Sequence, residues 1–193
     1  MIKKEKIKPT IMRITSSIKN VVKNVLPLLK NKVFHVTSFN SYKSIIKDGC
    51  IKNNKNRDYP YTFPQSEISY GRLRGYICLF DLRNISDEII EDQRKCLDFL
   101  IFEPIKYKSI AYFIISPTKY SKIISFSDAC KNINLRQKPE MIIPKVESFY
   151  PENINIEYVE QIIILKYYIS SYLIKNHIFL EKVKISARKK IFQ

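Results

Sequence analysis

The residues of this 193-residue chain best suited to chemistry are two histidines, a few strand-borne carboxylates and a loop rich in Tyr and Arg. A hydrolase of the Ser-His-Asp or Cys-His kind would need His35 or His177, and neither adjoins a GxSxG nucleophile elbow. His35 lies inside the apolar run Val33-Phe34-His35-Val36-Thr37, where it is either a ligand-holding group or a core histidine satisfied by a backbone carbonyl. Far downstream, Glu147 on an expected strand and Glu140 just ahead of that strand are the competing carboxylates, and a lone Glu of this kind is otherwise an ordinary solvated residue. A carboxylate so placed can stabilise a developing positive charge and accept a proton. Between them, the loop that holds Arg57 leads into the stretch Tyr70-Gly71-Arg72-Leu73-Arg74, whose two guanidinium groups fit a pyrophosphate and whose aromatic ring can stack. The alternative for each Arg is a basic surface loop, and spacing does not decide among Arg57, Arg72 and Arg74.

The elements that must position these groups follow from periodicity and turn chemistry. Residues 1–10 are Lys-rich and end near Pro9, which predicts fraying. Ile11, Ile14, Ile18, Val21, Val22, Val25, Leu26 and Leu29 recur at helical spacing, with Lys19, Lys23 and Lys30 on the other face. This predicts an amphipathic basic helix over 11–29, breaking before Pro27, that packs on its own domain rather than on a membrane or a partner. Val33 to Thr37 reads as a buried strand. A helix follows, capped by Ser38 or Asn40 and stopped by Gly49. Residues 52–74 form a long loop, of the kind that carries function. Further strands are expected at 75–81, 109–116, 141–149 and 161–165. Helices are expected from Ser86 to about 100, after Pro117, from Ser127 or Asp128, and as a turn at 156–160. The tail from Lys166 is apolar, basic and helical by pattern. Strands and helices mix without strict alternation, which predicts an α+β fold with a mixed or mostly antiparallel sheet.

Composition bounds the rest. Hydrophobic residues make up 45% and charged residues 27%, as expected for a globular chain that can bury a core. The three glycines cannot build a Gly-rich phosphate loop. Lys plus Arg number 34 against 18 Asp plus Glu, a net charge of +16. Such a field attracts nucleic acid or an acidic protein partner. An AT-rich coding sequence also inflates Lys, but leaves the low Asp and Glu content unexplained. Cys50, Cys78, Cys96 and Cys130 form no CxxC pair and have no His at ligand spacing, so no metal site is expected. No secretory signal or membrane span is apparent, which predicts reduced cysteines in a cytoplasm.

The stretch from Phe34-His35-Val36-Thr37-Ser38 to Gly49, and the later Lys145-Val146-Glu147-Ser148-Phe149-Tyr150 with Tyr158-Val159-Glu160-Gln161-Ile162, resemble two motifs of the ADP-ribosyltransferase superfamily. The first looks most like the version found in DarT toxins, which modify DNA bases. The resemblance covers residues 33–165. It implies split sheets with flanking helices, with a catalytic domain over 32–166, an N-terminal helix within 1–31 and a tail over 167–193. It implies NAD as substrate, held by His35 at the nicotinamide ribose, by backbone groups of Val36 at the carboxamide, and by Thr37, Tyr70 and the arginines. Glu147 would be catalytic, because the connection from Ser148 to Gln161 fits the family and Glu140 leaves too long a gap. The substrate loop has no clear DarT counterpart.

The expectation is therefore an ADP-ribosyltransferase toxin acting on single-stranded nucleic acid, RNA slightly ahead of DNA, with an antitoxin protein as partner and no membrane. A protein side chain as acceptor and a non-enzymatic nucleic-acid-binding module are the alternatives. The RNA 2′-phosphotransferase branch would need more Arg and His around the sheet.

Overall fold

A computed structural model describes residues 8–17, 20–56, 58–59, 69–92, 108–131 and 145–168. Their centre is a six-stranded mixed sheet. Its strands are β1 (Thr10–Ser17), β2 (Val33–Ser38), β4 (Ile77–Asp81), β5 (Ser109–Ile115), β6 (Glu147–Tyr150) and β8 (Val159–Tyr168), in the order β1-β8-β5-β2-β4-β6. Only β1 and β8 pair in parallel, and the other pairs are antiparallel. A two-stranded ribbon joins β3 (Cys50–Ile51) to β7 (Ile154–Asn155).

Both faces of the sheet are covered, which is why β5 (SIAYFII) reads as a continuous apolar run. On one face α1 (Val21–Leu29) sets Val21, Val25 and Leu29 against Phe34, Val36, Phe80, Tyr112 and Ile163. On the other, α2 (Phe39–Asp48) sets Phe39, Tyr42 and Ile45 against Val33, Leu79, Phe113 and Ile162. Local chemistry fixes the ends of α2: the Ser38 hydroxyl accepts from the Ser41 amide, and Gly49 turns left-handed at φ 69°. A third, smaller core holds Tyr70, Ala129 and Phe149 under α3 (Tyr70–Leu73) and α5 (Phe126–Lys131). Among the described residues, no helix is long and apolar enough to cross a membrane.

The expected helix over 11–29 is corrected. Its first half is strand β1, and only Val21–Leu29 is helical, with Pro27 inside α1. Backbone bonds to β8 outweigh the helical spacing of Ile11 and Ile14; Ile11 is 46% exposed and buries no stripe. β1 thereby joins the sheet that carries His35. Other bounds move less. The 141–149 strand is β6, preceded by a turn with Lys145 at φ 64°. The expected 161–165 strand lengthens to β8, because Lys166, Tyr167 and Tyr168 continue an exposed–buried alternation. The Pro117–Lys122 and Ile156–Tyr158 turns are 3-10. α4 (Asp87–Asp92) begins beyond Ser86, whose hydroxyl accepts from the Ile89 amide. Its continuation to 100, Glu140, His177 and the tail beyond Tyr168 lie outside the described residues.

Candidate functional site

The site forms where two neighbouring strands part. β2 and β4 pair only through Val33 opposite Asp81 and Phe34 opposite Phe80. Beyond that point the half-buried His35 ring, not the β2 backbone, reaches the next strand: its Nδ1 lies 2.9 Å from the Cys78 carbonyl oxygen. A carbonyl only accepts, so Nδ1 carries the proton and Nε2 of the neutral ring is left as an acceptor. Burial pushes the imidazole below its ordinary value, against the upward pull of the Cys78 carbonyl, so the neutral form is favoured. From His35 to Ser38, β2 has a strand on the β5 side and, among the described residues, none on the β4 side. That edge can hydrogen-bond an amide-bearing ligand through the backbone around Val36. The side chains of Val36 and Thr37 themselves are buried.

Glu147 opens β6 directly opposite Phe80 and is 6% exposed. His35 shares a face with Val33 and lies 6.4 Å from its cross-strand partner Phe113, between ring centroids. Glu147 shares the opposite face with Phe80. Thus β4 separates the two candidate groups, and one of its residues touches both. The Cys78 carbonyl accepts the hydrogen bond of His35 Nδ1, while the Cys78 side chain lies diagonally across the paired strands from Glu147, whose carboxylate acts on the thiol. Burial first and the Glu147 charge second push this thiol far above its ordinary range, so it stays protonated and donates.

The Tyr- and Arg-rich stretch folds as α3, capped by the Ser69 hydroxyl, which accepts from the Arg72 amide. Gly71 lets this helix sit directly on β4 and β6: a Cβ there would lie 2.5 Å from Cys78 Sγ and 2.7 Å from the Phe149 ring. The half-buried Arg72 donates to the Tyr59 carbonyl at 3.2 Å, and its charge acts on Cys78. Arg74 stacks over the Tyr70 ring at 3.8 Å from its centroid. Tyr70 is 2% exposed and packs on Phe149, so it serves the core rather than a ligand's ring. Arg57 lies outside the described residues.

Of the residues singled out from sequence, His35, Val36, Glu147 and Arg72 converge on the split or on Cys78, whereas Arg74 and Tyr70 satisfy each other. Sequence reasoning missed Cys78, Ser69 and Tyr59. Strand alternation put Cys78 on the face of Phe80, but nothing local gave the register that brings Glu147 there.

Comparisons with protein-family models, curated proteins and solved structures find no match to this chain.

The protonation of His35 yields a test that needs no activity. Its folded value is depressed, so between that value and about 6.5 the unfolded chain binds the proton that the folded chain refuses. Stability from this group is complete above about pH 6.5 and is lost as pH falls through the folded value. Thermal unfolding midpoints of wild type should therefore drop more between pH 7.5 and 5.5 than those of His35→Gln. Parallel curves for the two proteins would contradict the assignment.

Proposed function

We propose that this chain is an NAD-dependent ADP-ribosyltransferase that modifies bases of single-stranded nucleic acid, RNA ahead of DNA, as a toxin restrained by an antitoxin protein. The observation that carries this reading is the split between β2 and β4. It leaves a neutral His35 acceptor and a β2 edge that no described strand pairs, with a buried carboxylate one strand further on. The order of elements supports the reading too: the Glu147 strand leads through β7 and the short turn Ile156–Tyr158 into the apolar strand β8, the last among the described residues.

In this reading His35 Nε2 accepts a hydrogen bond from a hydroxyl of the nicotinamide ribose. The β2 backbone at Val36 holds the carboxamide, and Arg72 faces the pyrophosphate. The sugar then sits in the split, where Glu147 acts across β4 from His35: it stabilises the positive charge that develops as the bond to nicotinamide breaks, the electron pair leaving with nicotinamide. A nitrogen of the acceptor base then bonds that carbon, and Glu147 takes the proton it sheds. A base in a duplex would first have to be flipped out, which favours a single strand. The net charge of +16 and the 13 Tyr suit phosphate contacts and base stacking along such a strand.

The test is incubation of purified protein with NAD labelled in its adenylate half and RNA, single-stranded DNA or protein. Label that nuclease removes and protease leaves is the expected result. Label that only protease removes would move the acceptor to a protein. No transfer to any acceptor by the folded protein would overturn the reading.

A further inference from the structure

The contact between β4 and the two candidate groups assigns a role to a residue that the motifs do not mark. We propose that Cys78 is a positioning residue: its thiol donates to the Glu147 carboxylate while its own carbonyl fixes the His35 ring. The geometry rests on three observations. Cys78 lies opposite Phe149 and Glu147 opposite Phe80, so the thiol and the carboxylate are diagonal neighbours on one face of adjacent strands. The thiol packs against the start of α3, with the Ser69 hydroxyl at 4.0 Å and Gly71 so close that a Cβ there would lie 2.5 Å from Cys78 Sγ. The backbone of the same residue holds Nδ1 of His35 at 2.9 Å. A shift of β4 therefore moves both groups together.

A thiol held protonated beside a carboxylate is a poor nucleophile, so Cys78 acts through Glu147 and not by covalent chemistry. Its donation favours the ionised carboxylate, the form that stabilises a developing cation. Removing the donor destabilises that form, which raises the carboxyl's affinity for protons and moves the acid limb of activity to higher pH. Serine keeps a donor at this place, whereas alanine does not.

Part of this inference rests on the transferase reading, so two measurements separate them. The first is the Raman S–H stretch of Cys78 in the full chain with Cys50, Cys96 and Cys130 replaced by Ser. The band should lie at the low frequency of a donating thiol and move up in Glu147→Gln, where the charged acceptor is gone. An unshifted band would overturn the contact whatever the activity. The second is the pH profile of ADP-ribosyl transfer by Cys78→Ser and Cys78→Ala. Ala should lose on the order of tenfold in kcat with KM for NAD little changed, and its acid limb should move up; Ser should stay close to wild type. Equal losses for Ser and Ala with an unmoved acid limb would reduce Cys78 to packing. A shifted band with no transfer by wild type would leave the contact standing and overturn the proposed function.

Discussion

Expression of the wild-type chain in bacteria is expected to arrest growth, and Glu147→Gln is expected to abolish the arrest at equal protein level. The two side chains are nearly isosteric, so a buried position such as this one, 6% exposed, keeps its packing. The Gln carbonyl can still accept from the Cys78 thiol, and β6 keeps its register with β4. What disappears is the negative charge. Loss of a preorganised electrostatic group of this kind costs on the order of hundredfold or more in rate. Loss of the proton acceptor adds to that. Growth arrest that persists in Glu147→Gln would point instead to a protein that acts by binding nucleic acid. Its binding would weaken steeply with added salt.

The second large effect concerns the support of the site. Gly75, at φ 70°, links α3 to β4, and a Cβ there would lie 2.3 Å from Lys55 Cα and 2.8 Å from Lys55 N. Both obstacles are backbone or next to it, so neither can swing away. The loop thus pinned continues to Tyr59, whose carbonyl accepts from Arg72. Gly75→Ala should cost on the order of 2–3 kcal/mol from the left-handed backbone and the collision together. For a chain of this size that lowers Tm by roughly 5–10 °C. Gly49 is the control, because it has nearly the same φ of 69° but nothing within 4 Å of its missing Cβ. Gly49→Ala should cost about 1 kcal/mol, the backbone part alone. Equal Tm losses for the two variants would show that the Lys55 contact does not constrain the fold.

How much of this was legible in the sequence depends on how local each determinant is. The end of α2 was readable because Ser38 and Gly49 act within one turn of the chain. β5 and the strand core of β2 were readable because burial on both faces leaves an apolar run. The N-terminal strand was not. Ile11, Ile14 and Ile18 satisfy a helical pattern, and the bonds that select a strand come from Gln161 to Tyr168 at the other end of the described chain. In the site, His35 presented two readings: the structure shows its Nδ1 satisfied by a backbone carbonyl, and the ligand-holding reading draws on a ring that sits where the sheet opens. Tyr70 and Arg74 looked equally apt for a ligand, but their mutual stacking is a tertiary fact that spacing does not encode. The split itself is an absence of pairing between β2 and β4, and no residue pattern announces it. Cys78 was invisible for the same reason, since its meaning depends on the register of three strands.

The central claim is that the split sheet and its buried carboxylate transfer ADP-ribose. Its most direct test is transfer of label from the adenylate half of NAD to single-stranded RNA by purified wild type, beside Glu147→Gln at the same concentration. Nuclease-sensitive label that accumulates with wild type, and on the order of hundredfold more slowly with the variant, is the predicted result. Equal labelling by both proteins, or none by a folded wild type on any acceptor, would contradict it.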